Sequence, residues 1–232
     1  MIKIATSNKQ QATSNKQQAT TLQKQVDATH YEFSKYVDKG RWCSFYHQID
    51  EILSTKPDSV LEIGIGPGIL GTILKKINCP YESIDIDKEL EPDHVGSILQ
   101  MPFPDKNYDT IVCFQVLEHL AYENFTIALN ELFRVARKCI ILSLPDAGPV
   151  ISIHIPKICG RKLFPRPFVK QKEHEFDGEH YWEINKKGYG ISRIKANIDD
   201  LAKKNSFLLE KNYRVWENPY HHFFVLKNRE HI

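Results

Sequence analysis

The chain has 232 residues, of which 41% are hydrophobic and 26% charged, with a net charge of +2, so one soluble core is expected and a strongly basic nucleic-acid binder is not. Five cysteines (Cys43, Cys79, Cys113, Cys139 and Cys159) form no CxxC pair, which excludes a zinc ribbon and a disulfide framework and makes a reducing cytoplasm the expected location. No apolar run approaches the roughly 18 residues of a membrane span, and the N-terminus lacks the apolar core of a signal peptide.

Ala5–Gln11 reads ATSNKQQ, and Ala12–Gln18 repeats it letter for letter. The seven-residue period has no apolar positions to make a coiled-coil seam, so residues 1–20 are expected to be a disordered tail. From 21 to 55 apolar and aromatic residues recur at steps of three and four, which predicts one or two amphipathic helices before the main domain. Phe45, Ile49, Ile52 and Leu53 form the clearest stripe.

An alternation of strands and helices comes next. Strands are predicted at Ser59–Ile63, Ser83–Ile86, Thr110–Phe114 and Cys139–Leu144. Helical stripes are predicted at Ile69–Ile77 and Phe125–Ala136. Such spacing argues for βαβ units and a parallel sheet. The pattern breaks from Asp146 to about Lys187, where Pro149, Pro156, Pro165 and Pro167 interrupt any period. A helix returns at Ser192–Lys204. Phe207–Val215 and His222–Lys227 then flank the turn Glu217-Asn218-Pro219-Tyr220 and should pair antiparallel.

The chemistry-bearing motif is Glu62-Ile63-Gly64-Ile65-Gly66-Pro67-Gly68, a strand running into a glycine-rich turn and a helix. Glycines let the backbone approach a ligand, and the amides of the turn and helix start face it. Asp85 follows Gly64 by 21 positions, the spacing at which an acid accepts hydrogen bonds from ribose hydroxyls. Gly66 to Gly71 also matches GxGxxG, which keeps a nicotinamide oxidoreductase open as an alternative. That match would bury Glu62 and Gly64 within the first strand.

The blocks together resemble class I S-adenosylmethionine-dependent methyltransferases. Glu62–Gly68 is similar to the family's first motif, Ser83–Asp87 to its second strand, Gly96–Phe103 to its adenine loop and Tyr108–Leu120 to its fourth strand and the helix after it. The resemblance implies a Rossmann-like, doubly wound α/β fold with a seven-stranded sheet, mostly parallel with an antiparallel C-terminal strand. It implies S-adenosyl-L-methionine as cofactor, with Gly64, Gly66 and Gly68 in the turn beside its methionine part and Glu62 near its amino end. Asp85 would hold the ribose, Ile86 would line the adenine, Ile98 would offer backbone to the adenine ring, and Gln115 would sit beside the reaction centre. Ser97 stands where many members carry an aspartate that accepts from the adenine amino group.

Methyl transfer from a sulfonium is an in-line displacement that needs position, dryness and sometimes a base. Among His119, His174, His180, Tyr181 and Glu183, the candidate bases put forward are His180 and His119, with Glu118-His119 expected on the first turn of a helix. A metal site from Gln115, Glu118 and His119 is considered and set aside, so no metal is expected. Residues 146–187 are read as an acceptor-side insertion, its Glu179–Glu183 stretch either shaping the pocket or anchoring a loop through Tyr181 and Trp182. His221-His222 reads as a feature of a sheet edge. Lys157, Arg161, Lys162, Arg166, Lys170 and Lys172 form a basic block without acids. It suits a solvated lid, an anionic small-molecule acceptor, or less favourably a nucleic acid or membrane surface. A protein that keeps the fold and binds cofactor without catalysis is the remaining alternative.

Overall fold

The computed structural model describes residues 28–153, 161–163 and 171–231. The expected tail at 1–20 lies outside them, as do Lys157, Arg166 and Lys170 of the basic block.

A one-turn helix α1 (Phe33–Tyr36) and the longer α2 (Lys39–Ser54) precede the sheet. The Asp38 carboxylate caps α2 by accepting from the Arg41 N–H at 2.7 Å, the usual means of satisfying a helix's first amides. The chain then forms β1 (Val60–Ile63), α3 (Ile69–Lys76), β2 (Tyr81–Asp85), β3 (His94–Val95), β4 (Tyr108–Phe114), α4 (Phe125–Val135) and β5 (Ala136–Pro145). β6 (Ile151–Ile153) and β7 (Arg161–Leu163) pair separately and antiparallel. α5 (Ile191–Lys204), β8 (Phe207–Arg214) and β9 (His221–Asn228) complete the fold.

The seven-stranded sheet has the order β3-β2-β1-β4-β5-β9-β8, and only β9 runs against the others, antiparallel to both β5 and β8. β1 and β4 are buried along their whole length, as central parallel strands covered on both faces must be. The strand period of two divides their side chains between two cores. Leu61, Ile63, Ile111, Cys113, Ile140, Leu142 and Leu226 face one way, against α4, α5 and Trp182. Val60, Val112, Phe114, Ile141, Phe223 and Val225 face the other, with Ile52 of α2 and Leu70 and Leu74 of α3. The doubly wound architecture expected from the sequence is therefore present. Among the described residues no helix is long and apolar enough to cross a membrane.

Three local readings are corrected. β2 ends at Asp85, so Ile86 lies beyond it and is exposed. Leu117–His119 is a single 3-10 turn rather than the first turn of a helix. Leu120 is extended there, with its carbonyl accepting from the Trp182 indole at 3.1 Å, and α4 begins only at Phe125. His221 and His222 are interior, because β9 is inserted between β5 and β8. The buried Asp146 carboxylate accepts from His222 Nδ1 at 2.8 Å and from Asn185 Nδ2 at 2.8 Å. The two-residue β3 has no counterpart among the strands read from periodicity.

At the start of β4 the Asp109 side chain is fully buried and accepts from Lys138 Nζ at 2.6 Å, from the Asp58 N–H at 3.0 Å and from Arg137. Burial pushes its pKa up, but the hydrogen bonds from Lys138, Asp58 and Arg137 outweigh that and hold it at about 2. The folded value is depressed. Its stabilisation is therefore complete above the unfolded value of about 4 and is lost as pH falls toward 2. Asp109→Asn is expected to cost about 2 kcal/mol at neutral pH. Urea denaturation at a series of pH values should show that gap narrowing below about pH 4.

Candidate functional site

Between β1 and β4 the strand order reverses direction, and a cleft opens beyond the strand ends at that switch point. It encloses about 890 Å³ of space free of atoms, the open solvent at its mouth included. Gly64, Gly66, Asp85, Ile86, Ile98, Gln115 and His119 all line it. Of the other residues singled out in the sequence, Glu62 lines a smaller adjoining cavity of about 380 Å³. Gly68 caps α3, and the Ser97 hydroxyl accepts from the Leu99 N–H at 3.1 Å. Neither Gly68 nor Ser97 is on the wall of either cavity.

The turn after β1 needs glycine at position 64 for two reasons. Gly64 has a φ of 76°, and a Cβ there would lie 2.4 Å from Val116 Cγ2. The turn and the β2 tip are tied by Asp85, whose Oδ2 accepts from the Ile65 N–H at 3.0 Å and whose Oδ1 accepts from the Asp87 N–H at 2.8 Å. Burial pushes the Asp85 pKa up, and these amides oppose the shift. At the end of β4, Gln115 adopts a φ of 54°, a strained conformation for a residue with a side chain. Its backbone N–H donates to the Ser143 carbonyl at 3.0 Å and its Nε2 to Ser143 Oγ at 3.1 Å. β5 thus holds the strain in place. Glu62 is buried and accepts from the Tyr81 hydroxyl. Burial pushes its carboxyl up to about 8 against the pull of that hydrogen bond.

Periodicity did not reveal the cleft's aromatic wall. Tyr31 and Tyr36 line it, with ring centroids 5.1 Å apart in an edge contact. The Arg41 guanidinium lies 3.9 Å from the Tyr36 ring centroid and, with Gln48 and His221, lines the smaller cavity. The density of aromatics between residues 31 and 46 was the available signal, but it carried no direction.

At the other end, the stretch before α5 folds back onto the loop after β4. His119 Nδ1 donates to the Glu179 carbonyl at 2.9 Å, the Tyr181 N–H donates to the Glu118 carbonyl at 2.9 Å, and the Trp182 indole reaches the Leu120 carbonyl. These bonds bring His180 beside His119, ring centroids 5.0 Å apart. His180 is behind the cleft wall, while His119 is part of it. Trp182 is the anchor and is fully buried; Tyr181 is exposed.

The electrostatics differ sharply across this cluster. Burial, and then the neighbouring His180, push His119 down to about 4, so its imidazole is neutral at pH 7. Burial also opposes charge on His180, but its contact with Glu183 and the field of Glu118 raise its pKa overall. His180 Nδ1 lies 3.3 Å from Glu183 Oε1, which also accepts from the Tyr220 hydroxyl. Glu118 is fully buried and burial pushes it up to about 8.

Residues 33–183, more than half of the chain, match a family model described as a methyltransferase domain. The uncharacterised protein MJ0638 of Methanocaldococcus jannaschii is 30% identical over 126 residues, a match covering 51% of this chain and 53% of that protein. The chain thus spans about half the length of the curated relative it matches. Among solved structures, magnesium protoporphyrin IX methyltransferase (ChlM) of Synechocystis PCC 6803 with bound S-adenosylmethionine is similar in fold, with a TM-score of 0.53 and 15% identity over 82% of this chain and 80% of that one. The methyltransferase domain of bacterial CtHen1 aligns with a TM-score of 0.55 and 16% identity over 81% of this chain and 98% of that one. An S-adenosylmethionine-dependent methyltransferase from Clostridium acetobutylicum ATCC 824 aligns with a TM-score of 0.53 and 11% identity over 85% and 95%. The family match displaces the nicotinamide reading, and the antiparallel β9 between β5 and β8 agrees with it. With this sheet order, this cleft and this match, the chain belongs to the class I S-adenosylmethionine-dependent methyltransferase family.

Proposed function

We propose that the cleft binds S-adenosylmethionine and that the chain transfers its methyl group to an oxygen, nitrogen or carbon nucleophile of a small molecule entering beside His119. The observation that carries this reading is the Asp85 carboxylate facing the same cleft as Gly64 and Gly66 at the switch point. The residues present fit the cofactor. A Cβ at Gly64 could not be accommodated, Asp85 offers its carboxylate to ribose hydroxyls, and Ile86 and Ile98 supply apolar walls for a purine.

When bound, the cofactor supplies a methyl group on a positively charged sulfur, an excellent leaving group. The protein's part is to orient the acceptor, exclude water and receive a proton where the nucleophile carries one. His119 is the polar residue at the acceptor end of the wall. A neutral imidazole with Nδ1–H committed to Glu179 has its lone pair on Nε2 and accepts a hydrogen bond there. His180, oriented by Glu183, backs it.

We read residues 21–232 as one catalytic domain, with the insertion at 146–187 assigned to its acceptor end. Of the basic residues that suggest an anionic acceptor, only the exposed Lys172 has a described side chain.

Arg41 lines the small cavity together with Gln48 and Gly64. We assign it to the cofactor's carboxylate. Arg41→Ala is expected to weaken cofactor binding about tenfold, the scale of one charge-assisted hydrogen bond, as read by calorimetry. The reading as a whole is tested by calorimetric titration with S-adenosylmethionine and its demethylated product; absence of binding to the folded protein would sink it. Mass spectrometry of a cell extract treated with protein and deuterated-methyl cofactor then identifies the acceptor by a mass increment of about 3 daltons. Binding without any such increment would favour a protein that keeps the cofactor and lacks transfer.

A further inference from the structure

Glu118, His119 and His180 each offer one ligand atom, and these atoms lie within 4.8 Å of one another. Glu118 is the independent sign that something belongs there. Its side chain is fully buried, and neither carboxylate oxygen has a hydrogen-bond partner. A buried carboxylate without a donor is costly and calls for a proton or a cation.

The two histidines are held as metal-ligating imidazoles are. Such rings give the Nδ1–H to a backbone carbonyl or carboxylate, which fixes the tautomer and leaves the lone pair on Nε2. Here His119 Nδ1 meets the Glu179 carbonyl at 2.9 Å and His180 Nδ1 meets Glu183 Oε1 at 3.3 Å. The sequence pointed to no metal because the third member lies 61 positions from His119. Only the hydrogen bonds of the Glu179–Trp182 stretch bring it in.

We propose that Glu118, His119 and His180 form a divalent-cation site of two imidazole nitrogens and one carboxylate oxygen. This donor set suits zinc or manganese better than calcium or magnesium, which prefer all-oxygen shells. Metal–ligand bonds of about 2.0 to 2.2 Å would draw the three atoms to roughly 3 to 4 Å apart, a closure of about 1 Å that side-chain rotation supplies. Three protein ligands leave at least one position open. Because His119 is on the cleft wall, that position faces the acceptor end, where it would take an oxygen of the acceptor by its lone pair and polarise it. With the ion bound, the His119 Nε2 lone pair is a metal ligand, and the ion replaces the direct hydrogen bond from the acceptor. The acceptor class is thereby narrowed to molecules presenting a hydroxyl or carboxylate oxygen. This use of the ion rests on the cofactor reading of the cleft, whereas binding of the ion does not.

The test uses the full, untagged chain stripped with a chelator. Titration with zinc or manganese chloride in the calorimeter should show one ion per chain. Loading with cobalt(II) should give visible d–d absorption bands of a nitrogen-ligated site. Glu118→Gln and His180→Gln should each weaken binding about tenfold or more, and His94→Gln, on the exposed side of the sheet, should not change it. Cofactor affinity measured on the same proteins reports whether each variant retains a folded cleft. Absence of the cobalt bands in the wild type overturns the proposal, as does metal affinity unchanged in both ligand variants. Loss of cofactor binding by the wild type would instead sink the cofactor reading and leave the metal titration standing.

Discussion

Asp85→Ala is expected to weaken binding of S-adenosylmethionine by about 100-fold or more, the scale of two hydrogen bonds to a charged acceptor. The carboxylate has two tasks. It accepts from the Ile65 N–H and the Asp87 N–H, and so joins the glycine turn to the tip of β2. It also lines the cleft, where the proposed ribose contact would use its remaining lone pairs. Alanine removes both. Asp85→Asn keeps one acceptor oxygen and should fall between, about tenfold weaker than wild type. Calorimetry gives the affinities and a thermal melt shows whether the fold survives. A melt near wild type with lost affinity supports the ribose role. Wild-type affinity in Asp85→Ala would refute it.

Trp182→Ala should be the most destabilising single change near the site. The side chain is fully buried, its ring meets Phe125 and Tyr122 edge-on with centroids 5.1 Å away in each case, and its indole N–H donates to Leu120. Truncating such a residue costs about 3 to 5 kcal/mol, from lost burial and from the cavity left behind. For a chain of this size that lowers the melting temperature by about 10 °C. The effect should extend to function in a particular way. Trp182 pins the stretch that carries His180, and its ring contacts and hydrogen bond are with Tyr122, Phe125, Tyr189 and Leu120. Methyl transfer should therefore fall further than cofactor affinity. Trp182→Phe retains most of the volume and loses the indole hydrogen bond, so it should cost about 1 to 2 kcal/mol. An unchanged melting temperature in Trp182→Ala would contradict the anchor role.

The stabilities of the two ends have different origins. The proposed cofactor side is built from the ends of β1, β2 and β4, of which β1 and β4 have little freedom to move because both their faces are covered. The end proposed for the acceptor depends on a stretch without regular structure, held by three hydrogen bonds to the loop after β4, one of them from the buried Trp182. Changes in the irregular stretch are accordingly expected to alter transfer more readily than the fold.

Local pattern sufficed for what is local. β1, β4, α3 and α4 were legible because burial imposes a period of two on strands and 3.6 on helices. The glycine turn was legible because a tight approach to a ligand needs residues without a Cβ, and Asp85 because it comes one strand later at a fixed span. Tertiary structure alone decided the rest. β3 is two residues long, too short to show a period. His221 and His222 became interior when β9 paired with β5 on one side and β8 on the other. Tyr31 and Tyr36 reached the cleft, and Arg41 the smaller cavity beside it, through the path of the chain before the sheet. Glu118, His119 and His180 became neighbours when Trp182 buried itself under Leu120. The physical reason is common to all of these. Periodicity records which side of its own element a residue faces, whereas a site made from distant segments is set by how those elements pack and by which polar groups satisfy one another there.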